Sequence, residues 1–422
     1  MIEHSTAECD VLVIGGGIHG TFIARELAAA GYAVVLAEQG DFGEGATGRS
    51  SGILNNGLVF FESGAVSLRS LLLNPSRLGY TIRAISRYQE ARREMARKAG
   101  ERIRPFKAYL PVYRHRGPSR WKIVLGIWLI RLLSSRAAPA RFRCIQGIAL
   151  RDDPRFRDLA DSENLACVYE FDEYYYDTAQ EMARDNAAGA ANFGAQVLAS
   201  TGVRGLSRAG ERWKAELSSR TGGGLEVSAK AVVNASGPWI DDVFELLENP
   251  PEAKIDKRKG THISVRLPEA WRGSGVYLVT PCGKSRFILP RGEDHIFGVT
   301  NTPFSGDPAT AQPTEDEIAS LVAQLNEVLP NLGLTPSRVS YAWSGVRPAT
   351  RLAHSANGKH VHSGLHRLWH LSGEGLPNMY AVTGASIGSQ FAVAREVLKH
   401  ITLEFGRRQA SAAKNHTGDP QH

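Results

Sequence analysis

A glycine-rich turn near the amino terminus is the first feature of the sequence that could do chemistry. Gly15, Gly17 and Gly20 are spaced as G-x-G-x-x-G, directly after the β-branched run VLVI. In this arrangement the first glycine makes a tight turn, the second lets the backbone approach a pyrophosphate, and the third lets a helix pack closely on a strand. Free N–H groups and the positive end of the helix dipole then favour the phosphate charge. The spacing therefore predicts a nucleotide phosphate site.

An acidic residue follows at the spacing that a dinucleotide needs. Glu38 ends the run YAVVLAE, about 20 residues beyond the glycine turn, where a carboxylate can hydrogen-bond a ribose diol. Between the two runs, Ile18, Phe22 and Leu27 mark one face of a helix that ends near Gly31. Strand, helix, second strand and acid together predict a βαβ unit that binds a dinucleotide, rather than a turn used only for packing.

A second strand, glycine turn and helix stand near the other end of the chain. The run Met379–Gly384 is followed by helical periodicity from Ile387 to Leu398. A helix amino terminus aimed at the N1–C2=O region of a flavin would stabilise the negative charge that develops there on reduction. The small residues Gly45–Gly52 also suit an extended flavin nucleotide. These elements favour FAD over a nicotinamide cofactor, although an ordinary strand-to-helix corner also fits the second one.

These motifs must be positioned by a longer series of strands and helices. Buried strands are predicted at 11–16, 32–38 and 229–237, and a strand-rich region at 259–304. Helices are predicted at about 68–100, 177–196, 313–330 and 387–403. The polar residues after Phe405 predict a disordered tail.

The composition excludes several classes of protein. The 422 residues carry 50 Lys and Arg against 43 Asp and Glu, which gives a formal net charge of +7, and 42% are hydrophobic. This is ordinary globular composition with room for two domains. The four cysteines are far apart and form no CxxC pair, which argues against a disulfide framework, a zinc site or an iron–sulfur cluster. Without a secretory signal pattern or a long apolar run, we expect a cytoplasmic protein with no nucleic-acid partner.

Several longer segments together resemble one family. They are ATGRSSGILNNGLVFFESG, KGTHI, GVTNTPFSGDP, WSGVRPAT and LPNMYAVTGASIG, in this order within residues 8–403. The sequence resembles the FAD-dependent, quinone-linked glycerol-3-phosphate dehydrogenases of the D-amino-acid-oxidase superfamily. The resemblance implies an α/β fold, in which a discontinuous Rossmann-like FAD-binding domain is joined to a second α+β substrate domain built on an antiparallel sheet. The helical carboxy-terminal domain of the usual members is not expected here.

The patterns and the resemblance together predict domain boundaries and FAD contacts. The FAD-binding domain is predicted at 1–85, 145–250 and 340–405, the substrate domain at 86–144 and 251–339, and the disordered tail at 406–422. The predicted FAD-contacting residues are Gly15, Gly17, Ile18, His19, Gly20, Glu38, Gln39, Thr47, Gly48, Ser50, Ser51, Val203, Ala235, Gly237, Trp239, Arg347, Gly384, Ser386, Ile387, Gly388 and Ser389. Of these, His19 lies inside the glycine motif, so its backbone near the phosphate is expected to matter more than its ring.

The sequence departs from the family where the substrate should bind. In place of the family's H-G-G-L-R-Y, the chain has Asn55-Asn56-Gly57-Leu58-Val59-Phe60. In place of G-G-K-L-T-T, it has Gly384-Ala385-Ser386-Ile387-Gly388-Ser389, so that the family's arginine, tyrosine and lysine are absent. Charge-assisted hydrogen bonds to a phosphate are worth about 1.5–3 kcal/mol each. We therefore expect altered phosphate contacts around the retained Arg347.

Three residues are predicted to serve catalysis, and no metal is predicted. Arg347 would orient the substrate or polarise its oxygen, His262 lies on a strand expected to face the flavin, and Asn55 could hydrogen-bond substrate or flavin. The leading hypothesis is an FAD-dependent oxidoreductase that transfers a hydride from a CH–OH group of a small polar or anionic substrate to flavin N5. A CH–NH oxidase of the glycine or sarcosine oxidase kind is the main alternative, and a non-catalytic flavoprotein is the second.

A basic and apolar stretch predicts a surface for a partner. The amphipathic run Trp121–Leu133 carries Lys122 and Arg131. The resemblance implies that such a surface lies on the inner face of a membrane as an interfacial helix and reaches a quinone acceptor. A helix packed on the substrate domain is the alternative. The charge run that contains Lys254, Lys257, Arg258 and Lys259 is interpreted as a solvated face, and Arg351 as an exposed arginine.

Overall fold

The computed structural model describes most of the chain. The residues described are 5–54, 57, 75–98, 102–117, 119–134, 141–279, 285–351, 366–384 and 386–411. The strands among them are β1 (Ser5–Ile14), β2 (Val34–Ala37), β3 (Ile53–Leu54), β4 (Ile103–Tyr113), β5 (Phe142–Ile145), β6 (Leu165–Tyr176), β7 (Gln196–Leu198), β8 (Thr201–Ala209), β9 (Arg212–Ser219), β10 (Gly224–Asn234), β11 (Ile255–Val265), β12 (Ser274–Val279), β13 (Ser285–Arg291), β14 (Asp294–Gly298), β15 (Thr302–Pro303), β16 (Tyr341–Thr350), β17 (Arg367–His370) and β18 (Met379–Thr383). The helices are α1 (Ile18–Ala29), α2 (Pro75–Lys98), α3 (Arg120–Leu133), α4 (Ile148–Asp152), α5 (Pro154–Arg157), α6 (Ala179–Asn192), α7 (Ile240–Phe244), α8 (Glu315–Val328) and α9 (Gln390–Phe405).

The chain forms two units, and the first contains the predicted βαβ element. Unit 1 comprises residues 1–50, 178–258 and 346–422. Its sheet has the strand order β17-β18-β10-β1-β2-β7, and the β8–β9 hairpin extends from β10. The pairs from β18 to β7 are parallel, and β17 is antiparallel. The predicted βαβ unit is thus confirmed as β1, α1 and β2.

Burial explains why the β-branched runs of unit 1 become central strands. Val11, Leu12 and Val13 have no exposed surface, as expected of a parallel strand covered on both faces. Helix α1 packs against α6 and α9. A core cluster that includes Trp213 and Phe244 fills the space between the sheet and its neighbours. The glycine turn between β1 and α1 is therefore fixed at both ends by buried elements.

Unit 2 is built on a mainly antiparallel sheet, as predicted. It comprises residues 51–177 and 259–345. The strand order of this sheet is β15-β11-β14-β13-β12-β4-β6-β3, with β16 beside β11 and β5 beside β6. The one parallel pair among the registers described is β4 with β12, whereas β4–β6, β5–β6, β12–β13, β13–β14 and β11–β14 are antiparallel.

Both faces of this second sheet are buried under helices. Successive residues of a strand point to opposite faces. Val276 and Leu278 accordingly belong to the cluster that α8 covers, and Tyr277 belongs to the cluster that α3 covers. Helix α3 contributes Ile123 and Ile127 to the latter cluster, so that one side of this helix belongs to the core of unit 2.

The division between the units differs from the predicted boundaries. Residues 51–85 and 145–177 were predicted in the FAD-binding domain, but they lie in unit 2. The reason is pairing: β6 is hydrogen-bonded to β4 along almost its whole length, which holds it in the second sheet. Residues 251–258 lie in unit 1 instead of unit 2, and residues 340–345 lie in unit 2 instead of unit 1.

The beginning of the predicted disordered tail is ordered. The hydroxyl of Tyr32 donates to the carbonyl of Gly406 at 2.6 Å, and the N–H of Ser411 donates to the carbonyl of Ala29 at 3.1 Å. The prediction was wrong for residues 406–411 because the carbonyls at the end of α1 and the tyrosine give this polar segment hydrogen-bond partners. Residues 412–422 lie outside the described part of the chain.

None of the helices that the structure describes is both long enough and apolar enough to cross a membrane.

Candidate functional site

The glycine turn has the close approaches that its spacing predicts. Gly15 has a φ of +105°, which side-chain-bearing residues rarely adopt. A β-carbon placed on Gly15 would lie 2.6 Å from Cα of Ser236, and one placed on Gly20 would lie 1.9 Å from the carbonyl oxygen of Gly15. Both contacts are with backbone atoms, which cannot rotate away. Only glycine therefore fits at these two positions.

Gly17 is different, because its Cα faces open space. Among the described atoms, a β-carbon placed there would meet only the Thr47 hydroxyl, at 3.3 Å. That hydroxyl accepts a hydrogen bond from the N–H of Ile18 at 3.0 Å, so one helix N–H expected to face a phosphate is already paired. The room above Gly17 and the helix terminus beside it fit the pyrophosphate of FAD.

Glu38 closes the turn from the side of β2. Its two carboxylate oxygens accept hydrogen bonds from the N–H groups of Gly16, at 2.6 Å, and Gly40, at 2.7 Å. Burial raises the pKa of Glu38, and these two hydrogen bonds partly oppose the rise. The predicted ribose contact would therefore use the remaining lone pairs of a carboxylate that the backbone already orients.

The small residues after Glu38 form a loop tied to the glycine turn. The N–H of Gly43 donates to the carbonyl of Gly16 at 2.9 Å, and the N–H of Gly48 donates to the carbonyl of Gly43 at 2.7 Å. Ser50 donates its hydroxyl to the carbonyl of Thr47 at 2.7 Å. The loop thus brings Thr47, Gly48 and Ser50 towards the turn.

Ser51, also predicted to contact FAD, belongs to unit 2. Its carbonyl accepts a hydrogen bond from the Arg291 guanidinium at 2.7 Å. The same guanidinium donates to the carbonyl of Tyr176 at 2.6 Å. Ser51 is therefore fixed by the second sheet.

The turn after β10 forms the opposite wall of the glycine turn. A β-carbon placed on Gly15 would lie 2.7 Å from the carbonyl oxygen of Ala235. Gly237 and Trp239 follow in a single 3-10 turn. The Trp239 ring would lie 3.1 Å from a β-carbon placed on Gly45, so this predicted contact residue reaches the loop after Glu38.

Gln39 and Val203 lie where β2 continues towards β8. The N–H of Thr201 donates to the carbonyl of Glu38 at 2.7 Å. A β-carbon placed on Gly202 would contact Cβ of Gln39 at 3.4 Å. Val203 is half-buried and packs against the core of unit 1. The structure thus places Gln39 against β8, the strand that contains Val203.

The second turn, after β18, is joined to the first through a side chain. Gly384 donates its N–H to the carbonyl of Pro348 at 3.1 Å, and Ile387–Ser389 form a 3-10 turn that leads into α9. Nε2 of His19 lies 3.0 Å from the hydroxyl of Ser389, which donates to the carbonyl of Ser386 at 2.7 Å. The ring of His19 thus connects the two predicted FAD-contacting elements, and the backbone contact of this residue with the phosphate stays a prediction.

The environment of His19 keeps its ring neutral. Burial lowers the pKa of His19 most, and the charge of the nearby His366 lowers it further. A hydrogen bond with the backbone of Ser386 favours the charged form and opposes them. The net result is a pKa of about 3. A neutral imidazole has one donor and one acceptor nitrogen. Because the Ser389 hydroxyl already donates to the carbonyl of Ser386, the ring must carry its proton on Nε2 to donate to that hydroxyl.

Arg347 lies in unit 1 with a second cation close by. Its surface is exposed to solvent, but the protein atoms packed around it partly desolvate its guanidinium, and this, followed by the positive charge of Arg258, lowers the pKa of Arg347. Arg258 is half-buried. Two neighbouring guanidinium groups form an electropositive point that attracts an anion.

The rest of the basic run is less solvated than predicted. Lys254 is buried and bonds the Glu374 carboxylate at 2.6 Å, and Lys257 bonds Asp242 at 2.8 Å. The interpretation as a solvated face was wrong for Lys254 and Lys259, because burial of each ammonium is compensated by a carboxylate. The expectation for Arg351 is met, since it is exposed and pairs with Asp256.

His262 is held in unit 2 by ring stacking. It lies in β11 and is buried. Its ring is stacked on Trp343, with centroids 5.1 Å apart and an angle of 16° between the planes, and Trp343 is stacked in turn on Tyr341. Two stacked aromatic rings thus fix the plane of the imidazole.

Beside His262 lies a buried polar group that sequence analysis missed, the Lys259–Glu317 cluster. Nζ of Lys259 lies 2.9 Å from Oε2 of Glu317, which also accepts from Thr261 at 2.8 Å and from the N–H of Thr314 at 3.1 Å. Thr261 also shares a hydrogen bond with Ser344. The capping box Thr314-x-x-Glu317 is a sequence pattern from which the contact between these two residues could have been predicted.

Asn55, the third predicted catalytic residue, lies outside the described part of the chain, as do Val59 and Phe60. Of the other site residues, Arg347 belongs to unit 1 and His262 to unit 2.

Comparisons with known proteins agree with these features. Residues 10–392 match the sequence model of the DAO family, described as FAD dependent oxidoreductase. D-erythritol 1-phosphate dehydrogenase of Brucella abortus is 30% identical over 344 residues, which cover 81% of this chain and 63% of the relative. A glycerol-3-phosphate dehydrogenase of Synechocystis is 26% identical over 419 residues, which cover 96% of this chain and 71% of the relative. The chain thus spans between about three fifths and seven tenths of the length of these relatives.

Solved structures show the same fold at lower identity. Glycerol-3-phosphate dehydrogenase from Bacillus halodurans, which was solved with FAD, superposes with a TM-score of 0.69 at 19% identity, over 96% of this chain and 66% of that protein. Glycine oxidase from Geobacillus kaustophilus superposes with a TM-score of 0.64 at 20% identity, over 97% of this chain and 100% of that protein. At these identities the likeness is one of fold.

Proposed function

Because the chain belongs to the DAO family of FAD-dependent oxidoreductases, we propose that it oxidises a CH–OH group of a small anionic substrate. Bound FAD supplies the acceptor for the hydride at flavin N5. The protein must then hold the substrate anion, fix the reacting carbon and take up the hydroxyl proton. The relatives named for erythritol 1-phosphate and glycerol 3-phosphate support a polyol phosphate as the first substrate class to test.

The observation that carries this proposal is that Arg347 in β16 and Arg258 in β11 lie on paired strands, where the charge of Arg258 lowers the pKa of Arg347. Like charges repel, so two neighbouring guanidinium groups are most favourable when an anion lies between them. A guanidinium also matches phosphate or carboxylate with two parallel hydrogen bonds. The pair compensates in part for the family cations that are absent from this sequence. In this proposal Arg347 orients the substrate, and Arg258 adds positive charge that attracts the anion.

His262 is our candidate for the hydroxyl proton. A neutral imidazole can accept a proton from an alcohol as its C–H bond breaks. The stack with Trp343 and Tyr341 limits the ring to one plane, which is what a proton acceptor needs. The role predicts that His262→Gln lowers kcat without loss of FAD, whereas a purely structural histidine would change stability instead.

The test is an anaerobic screen of the purified, FAD-loaded protein for flavin bleaching. Glycerol 3-phosphate and erythritol 1-phosphate are compared with glycerol, 2-hydroxy acids, glycine and sarcosine. Bleaching by a phosphate or hydroxy acid, together with its loss in Arg347→Ala at unchanged FAD content, supports the proposal. Bleaching by glycine or sarcosine alone would replace it with amine oxidation. No bleaching by any of these compounds would contradict both.

We also propose that α3 places the protein on the inner, cytoplasmic face of an anionic membrane. On the side of the helix away from the core, Trp121, Trp128 and Leu132 are 49%, 58% and 64% exposed. The helix has no acidic residue and carries Lys122 and Arg131. An apolar stripe flanked by cations fits an interface between lipid headgroups and acyl chains. Such a position would bring the flavin's electrons to a membrane quinone.

Vesicle sedimentation tests this contact. The protein should sediment with phosphatidylglycerol vesicles, and Trp128→Ser should reduce the bound fraction severalfold. Leu403→Ser is the control, because Leu403 on α9 is 73% exposed, more than Trp128, and its loss should leave the bound fraction unchanged. The proposed membrane contact of α3 would be refuted if all three proteins bound the vesicles equally. It would also be refuted if the unmodified protein did not bind them. Quinone in the vesicles should reoxidise the reduced flavin only when the protein is bound.

A further inference from the structure

Two cysteines that the candidate site does not use lie beside each other in unit 2. Cys144 in β5 pairs with Tyr169 in β6, so Cys167, two residues along β6, is its diagonal neighbour on the same face of the sheet. The Cys144 thiol is close enough to act on the pKa of the Cys167 thiol, and both cysteines are free. We propose that Cys144 and Cys167 are a modification site, which forms a reversible disulfide when the protein meets a peroxide.

The two thiols are unequal, which sets the order of the reaction. Cys144 is exposed, whereas Cys167 has no exposed surface and lies in the core cluster under α3. The guanidinium of Arg120, at the start of α3, lowers the pKa of the Cys167 thiol, but by less than burial raises it. Burial raises the pKa of Cys167 to about 12, so its thiol stays protonated. Cys144 therefore reacts first, and Cys167 follows.

The position of β5 in the sheet allows the bond to close. Diagonal neighbours on paired strands have Cα atoms about 7–8 Å apart, and a disulfide needs about 4.4–6.8 Å. Closure thus requires β5 to move by about 1 Å towards β6. Among the described strands β5 pairs only with β6, and it has four residues. A short edge strand can make this shift, and the resulting bond should be easily reduced.

The chemistry balances with peroxide as the oxidant. The Cys144 thiolate attacks one peroxide oxygen, the O–O bond breaks, and hydroxide leaves to become water on taking up a proton. The sulfur of Cys167 then attacks the sulfenic acid of Cys144. An S–S bond forms, the S–O bond breaks, and the Cys167 proton leaves with the oxygen as a second water. Two thiols are oxidised, and one peroxide is reduced to two waters.

Peptide mapping of the purified full-length protein tests the site, independently of any substrate. After treatment with hydrogen peroxide, alkylation and tryptic digestion without reductant, residues 144–151 and 158–184 should appear as one linked peptide that lacks two hydrogen atoms. Dithiothreitol should restore the two separate peptides. Cys144→Ser, at an exposed position, should lose the link while keeping the fold.

Two further variants make the assignment specific. Cys167→Ala should trap Cys144 as the sulfenic acid, which a dimedone probe labels, because the second thiol is gone. Cys9→Ser is the matched control, since Cys9 is a buried thiol of unit 1, and it should leave the linked peptide unchanged. A link from Cys144 to Cys282, a link only between two chains, or no link at all would overturn the proposal.

Discussion

The glycine turn of unit 1 and the Lys259–Glu317 cluster of unit 2 are both buried and polar, but different forces hold them. In the turn, backbone atoms approach so closely that a β-carbon on Gly20 would lie 1.9 Å from the carbonyl of Gly15. In the cluster, an ammonium and a carboxylate lie 2.9 Å apart with only 11% of each side chain exposed. The turn can form because its glycines have no β-carbon, whereas the cluster is held together by the attraction of opposite charges.

This difference determines what each region tolerates. A backbone close approach does not respond to pH or salt, but an added methyl group overpacks it and destabilises the fold by about 3 kcal/mol, the upper end of the usual range. A buried ion pair is little screened by salt, but it is sensitive to the loss of either partner, because the other charge is then left without compensation. The region predicted to bind a nucleotide is therefore sterically fixed, whereas charge can tune the region beside His262.

Gly20→Ala should have the largest effect of the substitutions considered. The added methyl meets a backbone oxygen that can move only with β1 or α1, so we expect a loss of stability at or above about 3 kcal/mol, the upper end for overpacking. FAD should be lost as well. Thermal unfolding and the amount of FAD released by denaturation measure both effects.

The control is Gly79→Ala in α2. No described atom lies within 4 Å of a β-carbon placed at Gly79, so this change should stabilise the helix by about 1 kcal/mol. If Gly20→Ala is as stable as the unmodified protein and binds as much FAD, the turn has room for a β-carbon and the prediction is wrong.

Glu317→Ala should come next. It leaves the ammonium of Lys259 without its carboxylate and removes the acceptor of Thr261 and Thr314. We expect a loss of about 3 kcal/mol in the free energy of unfolding measured with urea. Glu226→Ala is the matched control, because the Lys214–Glu226 pair is 41% and 36% exposed, and its loss should cost less than about 1 kcal/mol. Equal losses in the two variants would contradict the contrast.

The same contrast explains which parts of the protein the sequence could predict. The glycine turn is specified by local spacing, so Gly15, Gly20 and Glu38 could be identified from order alone. The capping box of Thr314 and Glu317 is also local. Pairing of β6 with β4 is not local, and the residues of β6 were therefore placed in the wrong domain. The approach of Arg258 to Arg347 arises only when distant parts of the chain meet, and no sequence pattern records it.

His19 makes the stability of the sterically fixed region depend on pH. The pKa of His19 is about 3 in the folded protein, compared with the ordinary value of 6.5 that applies to the unfolded chain. Between these values the unfolded chain binds more protons than the folded one, so stability is lost as the pH falls from about 6.5 towards 3. His19→Asn should reduce this loss by about 1–2 kcal/mol, a value that allows for solvent around a half-buried ring.

Urea unfolding of the FAD-loaded protein at several pH values between about 7 and 4.5 measures this slope. His115→Asn controls for the removal of an imidazole, since His115 is exposed in unit 2. If the free energies of His19→Asn and the unmodified protein fall in parallel with pH, the ring of His19 does not titrate with folding.

Thr47→Val should have the smallest effect, and it tests the hydroxyl contact at the start of α1, beside the glycine turn. Valine has nearly the shape of threonine but leaves the N–H of Ile18 without the hydroxyl that accepts it at 3.0 Å. Thr47 is buried, so the loss should be about 1–2 kcal/mol. Thr47→Ser keeps the acceptor and should lose less than half of that. If the pyrophosphate of bound FAD can accept from Ile18 instead, Thr47→Val will be destabilised less when FAD is bound than after FAD has been removed. Equal destabilisation in both forms would mean that this N–H serves only the protein.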